Sequence, residues 1–264
     1  MAQSANHEER FQARESGYRW LAEFYDAFFA PFAQPMNKAR VKILGGILKH
    51  VDTACDLACG TGTAALALAR RGIRVYAVDL SAGMCRVTRR KARAANAAVD
   101  VIRADMRSFR LPESVDLVMC EGDALNHVSR KQDLRPVAQA VFRALRPGGC
   151  FYFDVNNSLG FQRYWKGLVW VERPGVVMVM RNRHSPDGLR AFSDIEYFIR
   201  SGRAWVRRQE QVREVCWTSS EIEEALTAAG FESIREWDAT PFFGAKSPVG
   251  PGCRSVYLAQ KPAK

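Results

Sequence analysis

The 264 residues predict an α/β fold, a largely parallel sheet with helices on both faces. Two observations lead to this prediction. From Thr53 onward, short apolar runs alternate with longer helix-like segments, an alternation typical of parallel sheets whose two faces are covered. A glycine-containing turn links the first run to the first helical segment, as in folds that bind ligands at the carboxyl ends of their strands. At this length we expect a single domain.

The predicted core elements are short and bounded by turn residues. Strands are predicted at Thr53–Ala58, Val75–Asp79, Val99–Ala104, Val115–Cys120 and Cys150–Val155. Helices are predicted between them at Thr63–Arg71, Ala82–Ala95 and Gln132–Leu145. The turn Arg146-Pro147-Gly148-Gly149 ends the last of these helices.

Two segments lie outside this alternation. Residues 18–50 predict one or two helices, broken at Pro31 and Pro35. Residues 165–217 predict antiparallel strands joined by polar turns, at Val176–Arg183, Leu189–Arg200 and Ala204–Cys216. A helix at Ser219–Ala229, with a capping signal from Ser219 to Glu223, and strands at Phe231–Asp238 and Arg254–Gln260 follow. We divide the domain into a helical cap (1–50), a cofactor-binding core (51–158), an antiparallel insert (159–217) and the end of the core (218–264).

Composition argues against several classes of protein. Hydrophobic residues make up 47% and charged residues 25% of the chain, which is ordinary globular composition. No apolar run reaches the ~18 residues of a membrane span, and Met1–Arg19 lacks the apolar core of a signal peptide. We therefore expect a cytoplasmic protein with no membrane partner. Of the seven cysteines only Cys55 and Cys59 are close together, so we expect reduced thiols and no metal site.

The formal net charge of +11 is compatible with nucleic acid, an anionic substrate or simple solubility. The densest basic stretch places Arg86, Arg89, Arg90 and Arg93 on one helical face. We interpret this face as a solvated outer surface, and we expect no nucleic-acid partner.

The most informative stretch is residues 54–65, A-C-D-L-A-C-G-T-G-T-A-A. Its pattern Gly60-x-Gly62-x-x-Ala65 also occurs in dinucleotide-binding proteins. Asp56 separates the two cases, because a carboxylate just before a helix start is a poor neighbour for phosphate. S-adenosylmethionine carries no phosphate and has a positive sulfonium and an ammonium group. The stretch therefore predicts an S-adenosylmethionine site.

Two further aspartates end strands. Asp79 ends the second strand, where a carboxylate can accept both ribose hydroxyls; its alternative is a helix cap, a role that Ser81 could serve equally well. Asp105 ends the third strand, where it can take an adenine amino group while Met106 covers the ring.

On these motifs the sequence resembles the class I S-adenosylmethionine-dependent methyltransferases over nearly the whole chain. The resemblance implies a Rossmann-like sheet of seven strands with an antiparallel final strand. Within the class the chain is similar to small-molecule N-methyltransferases of the glycine/sarcosine and amino-sugar types, through residues 23–26, residues 122–127 and the insertion after strand five. It departs from the glycine enzyme at Asp123 and near Lys38–Arg40, where the arginine that holds the cofactor carboxylate does not align.

The resemblance also implies cofactor contacts. It would fold Tyr18 and Tyr25 over the cofactor, beside the turn at Gly60 and Gly62. Further expected contacts are Ala58, Leu80, Met84 and Glu121.

The expected chemistry lies just past strand four, because ligands in this topology sit outside the carboxyl ends of the strands. Methyl transfer requires a nucleophile and a methyl group held on one axis. His127 is expected to act as a base or an orienting donor, and Asp123 to hold a cationic amine. For each residue a purely local role at the start of a helix is the alternative.

The expected function is therefore methyl transfer to a small-molecule acceptor, an amine nitrogen in the first instance. O-methylation of a small metabolite, RNA methylation, an NAD(P) oxidoreductase and a non-catalytic cofactor-binding subunit are the alternatives. The strand-four end, M-C-E-G-D, lacks the Asp/Asn-Pro-Pro-aromatic signature of enzymes that methylate adenine N6. Whether the insert is a lid or the surface of a homodimer stays open.

Overall fold

The computed structural model describes residue 18 and residues 20–243 and 250–264. Its strands are β1 (Thr53–Leu57), β2 (Arg74–Asp79), β3 (Val99–Arg103), β4 (Val115–Cys120), β5 (Leu145–Asn156), β6 (Gly167–Arg173), β7 (Val176–His184), β8 (Arg190–Ser201), β9 (Ala204–Val215), β10 (Glu232–Asp238) and β11 (Arg254–Gln260). Its α-helices are α1 (Tyr25–Leu44), α2 (Thr63–Ala69), α3 (Ala82–Ala94), α4 (Leu134–Ala144), α5 (Ser158–Tyr164), α6 (Ser219–Ala229) and α7 (Thr240–Phe243).

The main sheet has seven strands in the order β10-β11-β5-β4-β1-β2-β3. Strands β1 to β5 pair in parallel with one another. Strand β11 runs antiparallel between β5 and β10. This topology confirms the seven-stranded sheet with an antiparallel final strand, and it brings the carboxyl ends of β1, β2, β3 and β4 to one edge.

Both faces of the sheet are buried by apolar packing. On one face Val141 of α4 and Leu226 of α6 belong to a cluster with Phe151 of β5. On the other face Met36 and Leu44 of α1 belong to a cluster with Leu117 of β4. The predicted two-sided cover is therefore correct, and it accounts for the continuously apolar strands.

The insert is a second sheet of four antiparallel strands in the order β6-β7-β8-β9. The prediction of antiparallel strands is correct, but strand β6 was not predicted. Its side chains are mostly exposed, Leu168 to 61% and Trp170 to 60%. An edge strand without a buried face leaves no burial pattern in the sequence.

The helical cap differs from the prediction. Helix α1 runs from Tyr25 to Leu44 and includes both Pro31 and Pro35, at which we predicted breaks. A proline inside a helix removes one backbone hydrogen bond. Burial of the helix against the sheet, with Ala39 and Leu44 fully inaccessible, compensates for that loss.

Helix α6 has the predicted bounds but a different cap. Thr218 is the N-cap, and its hydroxyl accepts a hydrogen bond from the Glu221 N–H at 3.2 Å. The Glu221 carboxylate accepts in return from the Thr218 N–H at 3.0 Å. The predicted signal starts one residue too late, at Ser219, and ends two residues too late, at Glu223, because the reciprocal bonds need the residue that precedes the first helical turn.

Within the described part of the chain, none of the helices is both long enough and apolar enough to span a bilayer.

Candidate active site

A cavity of about 630 Å³ lies at the carboxyl ends of β1 to β4. Its walls come from the residues that follow these four strands, from Tyr18 and Tyr25 of the cap, and from residues 211–213 of β9 in the insert. The volume is in the range of sites for small ligands. The core, the cap and the insert thus all contribute to one site.

Most of the residues predicted for the site line this cavity. They are Tyr18, Tyr25, Ala58, Gly60, Asp79, Leu80, Met84, Asp105, Met106, Glu121 and His127. Three others, Asp56, Gly62 and Asp123, are not part of the lining.

The glycine turn after β1 has the backbone that only glycine adopts without strain. Gly60 and Gly62 have φ values of +54° and +76°. A Cβ atom at Gly62 would also lie 2.5 Å from the Thr88 side chain, which packs behind the turn. Gly62 therefore shapes the turn from behind, while Gly60 faces the cavity.

Asp79 joins the turn to the end of β2. Its two carboxylate oxygens accept hydrogen bonds from the Gly60 N–H and the Ser81 N–H, each at 2.8 Å. Burial raises the pKa of Asp79 to about 6. Ser81, and not Asp79, caps α3, because its hydroxyl accepts from the Met84 N–H. Ser81 therefore takes the helix-cap role that was the alternative for Asp79.

Asp56 lies behind the turn and not in the cavity. It is 2% exposed, and its carboxylate accepts a hydrogen bond from the Ala65 N–H at 2.9 Å. Burial raises the pKa of Asp56 to about 7, and the nearby Arg40 opposes that rise. The carboxylate holds the start of α2 against β1. Successive side chains of a strand point to opposite faces of the sheet, and the motif alone does not specify on which face Asp56 lies.

Asp105 lines the cavity but is already engaged by a cation. Arg107 donates to both of its oxygens and also forms an ion pair with Asp133 at 2.6 Å. That Asp105 takes an adenine amino group stays a prediction, with Arg107 as its competitor.

Arg40 and Glu121 form a buried ion pair between α1 and the end of β4. Arg40 Nη1 lies 3.3 Å from Glu121 Oε2. Among the described residues, neither Arg40 Nη1 nor Glu121 Oε1 has a hydrogen-bond partner. Burial raises the pKa of Glu121 to about 8. Since buried polar atoms rarely lack partners, this pair indicates space for a ligand with charged groups.

His127 connects the core to the cap and the insert. Its Nε2 atom lies 2.9 Å from the Tyr18 hydroxyl and 3.8 Å from Glu214 Oε1 of β9. The two aromatic rings meet edge to face at 5.4 Å. Burial lowers the pKa of His127, so the imidazole is neutral at physiological pH. Burial raises the pKa of Tyr18 well above its ordinary value, so the hydroxyl keeps its proton and can donate it to Nε2 in the tautomer that carries its hydrogen on Nδ1.

Asp123 belongs to a buried polar network behind His127. Arg254 of β11 forms ion pairs with Asp123 at 3.1 Å and with Asp154 at 2.8 Å. Asn156 donates to Asp123 at 2.6 Å. One guanidinium thus serves two carboxylates, and Glu214 is a third carboxylate close to it.

The basic face of α3 has a role beyond solvation. Arg86 and Arg90 are exposed, and both pair with Glu23 of the cap, at 3.4 and 2.9 Å. Lys91, next to them, pairs with Asp26 at 2.8 Å. The interpretation of a purely solvated face is incomplete, because this face also holds the cap.

Four residues of the site were not predicted: Arg40, Asp154, Glu214 and Arg254. For Glu214 a signal was present. Glu210, Val212 and Glu214 share the inward face of an alternating strand, and a glutamate on a buried face needs an explanation. The other three meet the site only through contacts distant in sequence.

Comparison with known proteins gives the following similarities. Residues 54–149 match the family described as "Methyltransferase domain". A demethylmenaquinone methyltransferase of Clavibacter sepedonicus is 30% identical over 70% of this chain and 67% of its own length. A methyltransferase-like protein of Bacillus subtilis, YqeM, is 27% identical over 92% of this chain and 97% of its own. The crystal structure of the sugar N-methyltransferase KedS8 from a Streptoalloteichus species superposes with a TM-score of 0.70 at 22% identity, covering 90% of this chain and 92% of that one.

Proposed function

Because the chain belongs to the class I S-adenosylmethionine-dependent methyltransferases, we propose that it transfers the methyl group to the amine nitrogen of a small molecule. The acceptor binds in the cavity between the loop after β4, the cap and strand β9. His127 and Tyr18 contact the acceptor, and Asp123 acts behind them.

The cofactor site rests on the buried pair of Arg40 with Glu121, of which Glu121 lines the cavity. S-adenosylmethionine, when bound, supplies an electrophilic methyl group on a positive sulfonium. Arg40 Nη1 and Glu121 Oε1 lack hydrogen-bond partners among the described residues, and the two side chains match an α-carboxylate and an α-ammonium group in charge. Asp79 has lone pairs left after its two backbone bonds and fits the ribose hydroxyls. The residues present therefore fit the cofactor.

The observation that favours an amine is the charge behind His127. Asp123, Asp154 and Glu214 lie around the single guanidinium of Arg254. This arrangement leaves negative charge in a buried place, although the whole chain carries +11. Negative charge behind the cavity favours an amine, whose nitrogen becomes positively charged as it takes the methyl group, over a neutral hydroxyl or an anion.

The residues that would act on the acceptor are Tyr18 and His127. The lone pairs of the Tyr18 oxygen are free to accept an N–H of the amine, because its proton is donated to His127 Nε2. As the nitrogen bonds to the methyl carbon, the carbon–sulfur bond breaks and its electrons stay on sulfur. The proton that the nitrogen loses passes through Tyr18 to His127.

The function is tested by methyl transfer from labelled S-adenosylmethionine to matched panels of small amines, phenols and alcohols. We expect product only in the amine panel. His127→Ala should then lower kcat modestly, because positioning dominates when the amine is bound neutral. A hydroxyl product with a loss of about 10²–10⁴ in His127→Ala would instead establish O-methylation, in which a base is needed. Methylation of RNA and of none of the panels would contradict the proposal.

Cofactor binding is tested separately by calorimetry with S-adenosylhomocysteine. Asp79→Ala should weaken binding by about 1.5–3 kcal/mol, the scale of hydrogen bonds to a charged group. Asp100→Ala is the matched control, an exposed aspartate on the adjacent strand β3 that pairs with Arg74. Equal affinities of the two variants would contradict the assignment of Asp79.

A further inference from the structure

Glu214 is a buried carboxylate that the insert brings to the site. It lies on β9 and is 3% exposed. Three residues later in the chain, the Trp217 indole packs against the core and donates to the Leu125 carbonyl. Its Oε1 atom is 3.8 Å from His127 Nε2, and its Oε2 atom accepts a weak hydrogen bond from Asn156 at 3.5 Å. A charged residue in such a place is costly to bury unless a charged partner compensates it.

Charged and titratable groups from four elements surround this carboxylate. The cap contributes Tyr18, the loop after β4 contributes His127 and Asp123, β5 contributes Asp154, and β11 contributes Arg254. Burial and the neighbouring Asp123 raise the pKa of Glu214 well above its ordinary value, and Arg254 opposes that rise. A proton on His127 adds a second positive charge at 3.8 Å. The ionised carboxylate is therefore most stable when the imidazole is protonated.

We propose that Glu214 is a positioning residue that holds the imidazole of His127 toward Tyr18 and stabilises the imidazolium formed when the acceptor loses its proton. This inference rests on the proposed function for the role of His127. It assigns to the insert a part in the chemistry besides that of covering the cavity.

The alternative role of Glu214 is purely structural, as one more member of the network around Arg254. The two roles differ in one measurable quantity, the proton affinity of His127. A carboxylate that stabilises the imidazolium raises that affinity, whereas a structural residue leaves it unchanged.

The decisive experiment is an NMR titration of the His127 imidazole in the full chain with S-adenosylhomocysteine bound, which needs no acceptor. The signal is assigned with His127→Asn. In Glu214→Gln we expect His127 to bind its proton about tenfold more weakly, which is the effect of losing an opposite charge within about 4 Å. Glu210→Gln is the matched control: it changes a buried glutamate on the same face of β9 that accepts hydrogen bonds from Tyr197 and from the Trp20 N–H instead.

An unchanged titration of His127 in a folded Glu214→Gln variant overturns the inference. So does an equal change in Glu210→Gln, since the effect would then be general to the strand. Should Glu214→Gln not fold, the same titration of the wild-type protein is the test. Coupling between Glu214 and His127 requires two titration steps in the His127 signals, and a single step overturns the inference.

Failure of the proposed function has a different signature. If the titration of His127 shifts as expected but no amine is methylated, the coupling stands and the function is wrong. If amines are methylated and the acidic limb of the pH–rate profile is the same in wild type and Glu214→Gln, the function stands and the inference is wrong. The expected result is an acidic limb displaced to lower pH in Glu214→Gln, with a lower plateau, because a weaker base loses its proton at lower pH.

Discussion

The cap and the insert both cover the cavity, but different forces hold them to the core. The cap meets α3 through exposed ion pairs of Glu23 with Arg86 and Arg90. The insert meets the core through buried contacts. Asn126 donates to the Val215 carbonyl at 2.8 Å, and the Trp217 indole donates to the Leu125 carbonyl at 3.0 Å.

The two covers are also joined to each other. Leu21 and Phe28 of the cap are buried in one cluster with Val176 and Tyr197 of the insert. The Trp20 N–H donates to the Glu210 carboxylate of β9. The cap is therefore held by apolar packing of α1 on the sheet and of Leu21 and Phe28 on the insert. Its contact with α3 combines the exposed ion pairs with a small buried cluster of Ala22, Met84 and Val87. Exposed ion pairs are worth about 0–1 kcal/mol each and weaken with salt. We therefore expect the cap to separate from α3 before it separates from the insert.

The largest effect is expected from removing the guanidinium that serves the buried network. Arg254→Met leaves Asp123 and Asp154 without their cation, and breaking such a buried pair costs about 3–5 kcal/mol. Urea unfolding should show this loss, whereas Arg235→Met, an exposed arginine on the adjacent strand β10, should change stability by less than about 0.5 kcal/mol. A small loss in Arg254→Met would refute the view that this buried network stabilises the core beside the site.

A smaller effect on stability is expected from Glu121, which pairs with Arg40 of α1 in a buried contact. The pKa of Glu121 is about 8 in the folded protein and 4.5 is the ordinary value, so the folded state binds the proton more tightly. This contribution to stability is complete below about pH 4.5 and is lost as the pH rises toward 8.

The free energy of unfolding of wild type minus that of Glu121→Gln should therefore fall between pH 5 and pH 8 and be constant above. Its total change should be at least about 1.4 kcal/mol, the value of one pKa unit. Chemical unfolding at several pH values measures this difference. A difference that is constant, or that rises with pH, would show that Glu121 is not buried as described.

The smallest effect is expected where the cap meets α3, and it concerns the rate at which the cofactor dissociates. Glu23→Ala removes two exposed ion pairs and should speed dissociation of S-adenosylhomocysteine about two- to fivefold, equivalent to about 0.5–1 kcal/mol. Stopped-flow measurements at low and high salt test the mechanism, because salt should accelerate dissociation more in wild type than in the variant. Glu172→Ala, an exposed glutamate on β6 of the insert, is the control. Equal salt sensitivity in all three proteins would exclude an ionic hold on the cap.

Four of the five parallel core strands could be predicted closely from the sequence because each carries its own local signal. The fifth, β5, begins at Leu145, five residues before its predicted start, and includes the predicted turn at residues 146–149. Strand β4 has the predicted bounds, and β1, β2 and β3 differ by one residue at one end. Helix α1 could not be predicted through its two prolines, since burial against the sheet outweighs the local cost.

The residues of the site also fall into those that local sequence predicts and those that it does not. The glycine turn and the strand-end aspartate Asp79 were predicted because they lie within or near one βα unit, where spacing along the chain fixes geometry. Asp56 was predicted to face the ligand and instead holds α2, because a one-residue change along a strand reverses the side of the sheet. The role of Asp123 as a group near the acceptor was proposed without Arg254, which comes from 131 residues later in the chain and pairs with it.

The sequence by itself determined the class of fold, the cofactor and the edge of the sheet at which the cavity lies, because these follow from local periodicity and one short motif. Only the tertiary structure decided which charges meet there. Glu214 reaches His127 through the insert, Arg40 reaches Glu121 through the cap, and Arg254 reaches Asp123 through the last strand. Each pair joins segments far apart in the chain, and their energies depend on burial and distance, which no local pattern of residues encodes.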